Sequence, residues 1–235
     1  MIGDRVAVNV KELREKLARK ASVMVVGGFR PPEDPLASWF GRIRVALPHE
    51  VWPSHNGKPM LPLCQINCAE LPYTPEALSD IALLSVFISQ DDLPFDSPNG
   101  EGWALRTYAN LDGLIEVGEP RLITQLKPFP VRWELIEEDY PCWEDVDMEV
   151  PPEVEENYYD LFNNRDGSKV GGWPSLIQSE IYWAPWNKHP ANPAYVFQID
   201  SEEKAHWAWG DEGVGYLGRG TGGASDQWAL AWQCY

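Results

Sequence analysis

The chain has 235 residues, 44% of them hydrophobic, enough to bury a sizeable core without metals or disulfides. Its 21 prolines, 19 glycines and 12 tryptophans favour short elements and many turns, so a β-rich class rather than a helical bundle. The formal net charge of −17 argues against nucleic acid and anionic membranes as partners and points to cationic surfaces.

In chain order, the N-terminus carries charges throughout and has no long apolar run. That pattern predicts neither a signal peptide nor a membrane span, and a cytoplasmic location. Val10, Leu13 and Leu17 fall on one stripe, which predicts a helix over 10–20. Residues 21–26 form an apolar run closed by Gly27-Gly28 and read as a strand; the proline-rich stretch 30–35 reads as loop. Trp39-Phe40-Gly41 opens a first unit. A turn signal, Asn56-Gly57-Lys58-Pro59, then releases an apolar run that ends on Gln65-Ile66-Asn67. A polar triplet with an apolar middle is what a strand end gives when side chains alternate between two faces. Cys64 and Cys68 are expected on this strand, on one face and too far apart for a bridge, with Cys142 and Cys234 isolated; all four read as free thiols.

Residues 81–89 read as a buried strand, 91–102 as loop and 103–108 as a further strand. Residues 128–133 are predicted extended, because their two prolines exclude a regular helix. Residues 134–160 hold twelve acidic side chains and no Lys or Arg, and read as an acidic connection with a short helix over 152–162. Val170-Gly171-Gly172-Trp173-Pro174 opens a second unit, whose own polar-tipped strand ends on Gln198-Ile199-Asp200. The last strands are placed at 214–217 and 227–232, with the glycine-rich 218–223 between them as loop.

The opening motif and the polar-tipped strand each occur twice, with 24 positions from Gly41 to Gln65 and 27 from Gly171 to Gln198. This predicts an α+β fold, predominantly antiparallel β, with internally duplicated units and a short N-terminal helix. Residues 1–235 form one domain, of units at about 21–133 and 161–235 joined by the acidic connection 134–160.

Ser38-Trp39-Phe40-Gly41, Trp52-Pro53, Gly57-Lys58-Pro59-Met60, Gln65-Ile66-Asn67 and Glu70-Leu71-Pro72 stand in order in the first unit. Gly171-Gly172-Trp173-Pro174, Ile177-Gln178, Gln198-Ile199-Asp200-Ser201-Glu202 and Trp209-Gly210-Asp211 follow in the second. In these pieces the chain resembles the YwqG-like family of bacterial proteins. The resemblance implies a duplicated β-rich fold and a distant relationship to eukaryotic programmed-cell-death-two-like proteins, which chaperone a ribosomal protein. Bacterial members have been proposed as immunity or interaction modules, and the family supplies no established catalytic residues. Gly41-Arg42-Ile43-Arg44 departs from the Gly-Gly-x-Pro opening of many relatives. The region of His55-Asn56-Gly57 lacks the Cys pair of the eukaryotic ones, so zinc is not implied.

His49, His55, His189 and His206 have no pair at metal-ligand spacing, and no cofactor motif is present. Asp200, Glu202, Glu203, Asp211 and Glu212 form a carboxylate-rich stretch, read as a polar rim with turn-forming Asp residues rather than as metal ligands or an acid/base pair. Trp173, Trp183, Trp186, Trp207 and Trp209 suit either core packing or a stacking groove. Gln65, Asn67, Gln198, Asp200, Trp209 and Asp211 are candidates for binding a ligand or partner, if the paired strand ends face one cleft. The competing reading is that each amide pins a neighbouring loop.

The expected function is a non-enzymatic protein-binding module for a basic protein partner, an immunity or client-chaperone protein. Glu137, Glu138, Asp139, Glu144, Asp145 and Asp147 would form its acidic partner surface, and Tyr140, Trp143, Tyr158 and Tyr159 its anchors. The alternative is an enzyme or a binder of small molecules or carbohydrate, with Gln65, Gln198 and Asp211 converging in an inter-unit pocket.

Overall fold

In the computed structural model, which describes residues 2–184 and 187–235, the chain opens with helix α1 (Ile2–Leu17) and strand β1 (Arg19–Val26). The first unit follows as β2 (Trp39–Phe40), β3 (Val45–Ala46), β4 (Ser54–His55), β5 (Lys58–Pro59), β6 (Leu61–Asn67), β7 (Leu83–Ile88), β8 (Trp103–Tyr108) and β9 (Ile115–Glu116). Strand β10 (Phe129–Asp139) leads to the short helices α2 (Pro152–Glu155) and α3 (Tyr158–Leu161). The chain then completes β11 (Lys169–Gly171), β12 (Ala194–Asp200), β13 (Val214–Arg219) and β14 (Trp228–Gln233). The fold is α+β and dominated by antiparallel β structure, as the composition and turn density predict.

Ten strands join in one sheet, in the order β14-β13-β12-β11-β1-β10-β2-β6-β7-β8. The β1–β10 ladder is its middle, and two arms of four strands extend from it. The arms share their registers. Trp39 and Phe40 face Gln65 and Cys64 as Lys169 and Val170 face Gln198 and Phe197. The β6–β7 ladder shifts register between Pro62 and Cys64, and the β12–β13 ladder between Tyr195 and Phe197. A proline inside a fully buried strand is tolerated at such a bulge, where a ladder bond is already missing. Ser22 faces Val170 as Phe129 faces Phe40; on that correspondence Val25 matches Arg132, and these two face each other. The pairing scheme therefore has a twofold centred on the Val25–Arg132 pair.

Each arm takes its inner strand from the other half of the sequence. β1 precedes the first unit yet pairs with β11, and β10 precedes the second yet pairs with β2. The glycine closing each opening motif is required by backbone geometry. Gly41 (φ +69°) and Gly171 (φ +77°) are left-handed, and a Cβ would stand 2.6 Å from the Lys127 carbonyl oxygen in one case and 3.0 Å from that of Lys20 in the other.

The main core draws on both arms: Phe40, Leu63, Ile66, Val86 and Trp103 pack with Val170, Phe197, Ile199, Trp209 and Trp228. A clasp also joins the arms, with Arg219 donating to both carboxylate oxygens of Asp80 (2.6 and 2.8 Å) and to the Ala77 carbonyl. A second core sits under α1, where Leu13 and Leu17 meet Tyr140, Val154, Tyr158 and Phe162.

Several boundaries differ from the sequence reading. The helix ends at Leu17, and Arg19 and Lys20 already belong to β1. The extended stretch runs past Trp133 to Asp139, because β1 pairs with β10 from Val131 to Asp139; residues 134–139 are central strand rather than connection. The helix read over 152–162 is two short helices, separated at Glu156 and Asn157. Cys68 leaves β6 for a 3₁₀ turn (Cys68–Glu70), because the Asn67 side chain accepts from the Ala69 N–H at 3.0 Å. All four cysteines are free, and burial pushes the Cys68 thiol up to about 12. Gly218 and Arg219 are the end of β13, so only the rest of the glycine-rich stretch is loop.

At the junction of β10 and β11, Lys169 Nζ donates to Asp139 Oδ2 at 2.9 Å, both side chains fully buried. Asp139 also accepts from the backbone N–H of Arg165 (2.7 Å) and Trp173 (2.8 Å). Burial pushes the lysine down, with Asp139 acting against it. Removing one member leaves a charge stranded in the interior. Lys169→Met should therefore cost about 3–5 kcal/mol in guanidinium unfolding, whereas Lys20→Met, which breaks an exposed pair with Glu137, should cost about 1 kcal/mol or less.

Candidate functional site

The amide candidates are held by their own arms. Gln65 is fully buried and makes four hydrogen bonds: Oε1 accepts from the N–H of Arg44 (2.8 Å) and Val45 (3.2 Å), and Nε2 donates to the carbonyls of Pro35 (2.9 Å) and Ala37 (2.7 Å). Gln198 repeats the arrangement, accepting from Ser175 N–H (2.9 Å) and Tyr195 O–H (3.3 Å) and donating to Gly167 O (2.8 Å). Both pin the loop that leads into the adjacent short strand. They do not converge with Asp211, which is exposed and offers its carbonyl to the Tyr235 N–H. Trp209 is fully buried in the main core.

The two arms part company at the next polar position. In the first arm Asn67 Nδ2 donates to Leu36 O at 3.1 Å, and Glu70 Oε2 accepts from Ser38 N–H at 2.9 Å. Counting along the matched registers, Asn67 corresponds to Asp200, Leu36 to Asp166, and Glu70 to Glu203. A carboxylate cannot donate, so Asp200 makes no equivalent of the Asn67 bond. Its backbone N–H still reaches Ser168 Oγ (2.9 Å), as that of Asn67 reaches Ser38 Oγ (3.0 Å), so the frame is kept while the side-chain closure is lost.

The result is an open cavity of about 740 Å³ in the second arm. Asp166, Asp200, Glu203 and Glu212 stand in its wall with His206, and among the described residues no Lys or Arg lines it. Ile177, Val214, Trp207 and Tyr235 supply apolar and aromatic surface. Burial pushes the Asp200 carboxyl up to about 6; the N–H groups of Ser201 and Gly167 oppose this, and Asp166 and Glu202 reinforce it. His206 Nε2 lies 3.2 Å from Lys127 Nζ. Among the described residues no group of three His, Cys, Asp or Glu is arranged to hold a metal ion.

Three members of the carboxylate-rich stretch 200–212 meet in this cavity, Asp200, Glu203 and Glu212. Asp166, Trp207 and His206 were missed as its partners. The signal for Asp166 was available: it stands in the second copy of the loop where the first has Leu36.

The acidic partner surface is only partly a surface. Asp139 is corrected: it is fully buried and paired with Lys169, because β10 runs through the centre of the sheet. Asp145 is half-buried, and burial raises its carboxyl despite the nearby Arg19. Glu137, Glu138, Glu144 and Asp147 are exposed, although Glu137 meets Lys20 at 2.7 Å and Glu138 accepts from Tyr140 O–H at 2.8 Å. Of the proposed anchors, Tyr140 and Tyr158 are buried in the second core and Trp143 packs against it; Tyr159 remains exposed, at 64%. Among the tryptophans, Trp207 and Trp209 are buried edge to face, Trp173 carries the Arg19 guanidinium 3.2 Å from its ring centre, and Trp183 lies against Gly218. Trp186 lies outside the described residues.

A family model described as a domain of unknown function (DUF1963) matches residues 44–217, from the loop pinned by Gln65 to the middle of β13. A search of curated proteins found no match.

Because the folded-state value of Asp200 lies above the ordinary carboxylate range, its ionisation opposes folding. The penalty is absent below about pH 4 and complete above about pH 6. Asp200→Asn removes that charge and restores the donor that Asn67 uses. The substitution should raise the thermal midpoint by about 2–4 °C at pH 7.5, with the gain shrinking towards pH 5 in parallel calorimetric scans.

Proposed function

This chain belongs to the DUF1963 family, and we propose that it is a non-enzymatic protein-binding module for a basic protein partner. The observation that carries the reading is the second-arm cavity, with four carboxylates and, among the described residues, no Lys or Arg in its wall. The exposed carboxylates Glu137, Glu138, Glu144 and Asp147 support it, as part of a net charge of −17 that favours encounter with a cationic surface. Placing the chain in the YwqG-like branch adds the finer reading of an immunity protein or a dedicated client chaperone. On the same reading the matched registers of the two arms reflect an internal duplication, and the four free cysteines fit a reducing cytoplasm. No helix among the described residues is long and apolar enough to cross a membrane.

The rival pocket at the paired strand ends has less support, since the side-chain hydrogen bonds of Gln65 are fully used and Asp211 is exposed. The test is stopped-flow association with a synthetic Lys/Arg-rich peptide. Neutralising Glu137, Glu138, Glu144 and Asp147 with Gln and Asn should slow association by about tenfold at low salt and flatten its salt dependence. An unchanged rate and an unchanged salt slope would overturn the proposal.

A further inference from the structure

We infer that the second-arm cavity receives the side chain of an arginine or lysine residue of a partner polypeptide, whose N–H donors take the place held in the first arm by the Asn67 amide. The inference rests on the binding reading above and names the group that its cavity receives.

The two arms form an internal comparison. In the first, a neutral N–H donor from Asn67 bridges to the Leu36 carbonyl, and Glu70 is occupied by the Ser38 N–H. In the second, the matching side chains are the acceptors Asp200 and Glu203, and the matching carbonyl belongs to Asp166, itself an acid. Among the described residues no donor reaches the Asp166 carbonyl. Glu203 keeps the acid of Glu70, while the two changes of residue remove a donor (Asn67 to Asp200) and add an acceptor (Leu36 to Asp166), so the group that completes this site is a donor without acceptors of its own. Guanidinium and ammonium are the side-chain groups of that kind.

A second observation concerns the wall. Trp207 is 8% exposed and lines the cavity, and its indole N–H has no hydrogen-bond partner. A buried N–H without an acceptor is costly. A free cation offers no acceptor, whereas a basic residue within a polypeptide carries a carbonyl beside its charged group. Together the carboxylates and the indole favour a peptide-borne basic residue over an inorganic cation. The volume, about 740 Å³, accommodates one such residue with its flanking peptide groups.

The experiment titrates the intact protein at pH 7.5 with Nα-acetyl-arginine methylamide, following the Ser201 amide and Trp207 indole signals by NMR. The neutral citrulline analogue is the matched control. Saturable shifts with the arginine compound, and none with citrulline, are expected. Asp200→Asn should weaken the arginine compound about tenfold or more, since it removes the charge and closes the bond to Asp166. Trp207→Phe keeps a ring and deletes the donor; it should weaken the methylamide a few-fold and leave ethylguanidinium unchanged. Equal shifts with citrulline, no saturation in the wild type, or full affinity in Asp200→Asn would overturn the inference. The two proposals fail separately. Loss of the arginine titration with charge-steered peptide association intact leaves the general binding reading standing, and the reverse result leaves this cavity as a site for a single basic residue.

Discussion

The sheet depends on one ladder. β1 and β10 pair antiparallel from Val26–Val131 to Arg19–Asp139, and each four-stranded arm of the sheet joins them through a single strand, β11 on β1 and β2 on β10. Their far end is locked by the buried Lys169–Asp139 pair, where two backbone N–H groups share the carboxylate. A buried ion pair is a weak source of net stability compared with apolar packing. Its role here is positional: it requires β10, the start of β11 and the Gly171–Trp173 turn to be assembled together. Trp173 then ties this junction to the N-terminal helix, its indole donating to Leu17 O at 2.7 Å beneath the stacked Arg19.

Once the middle is fixed, the two arms repeat one another closely enough that their differences carry the functional information. Gln65 and Gln198 do the same work in both, each pinning a loop to its arm. One position further out along the polar tip, the first arm is closed by its own amide and the second is left open by a carboxylate. A repeated framework with a single unsatisfied copy is a direct way to locate a site, because the closed copy shows what the open one lacks. The acidic run follows a different logic. Its aromatic residues fasten it to α1, so Tyr140 and Tyr158 serve the second core while the carboxylates between them, apart from the half-buried Asp145, face solvent.

Much of this was legible in the sequence. The apolar runs before Gln65 and Gln198 and their glycine-aromatic openings mark the two arms, and residues 81–89 and 103–108 read as strands with little error. The amides also read correctly as a pair, since the same residue type at the same step of two units points to one shared task. Asp139 did not, because the local pattern of residues 134–139 is that of a solvated acidic stretch. Only its pairing with a lysine thirty positions away, across the sheet, shows otherwise. The cavity was hidden for a related reason: Asp166 and Asp200 come together through the β11–β12 ladder, which leaves no mark in local periodicity.

The exchange of inner strands also sets the order in which the chain can assemble as it is made. β1 is synthesised before every other strand of the sheet, yet its two neighbours, β10 and β11, follow more than a hundred residues later. At ordinary translation speeds β1 waits on the order of ten seconds for both partners. Meanwhile β2, β6, β7 and β8 are complete except for the strand that borders β2. Non-local pairing of this kind is slow in any chain, and an unpaired apolar strand is a template for the wrong neighbour. Arg19 and Lys20 place two cations at the head of this early strand, the sort of edge charge that discourages pairing with another chain until β10 arrives.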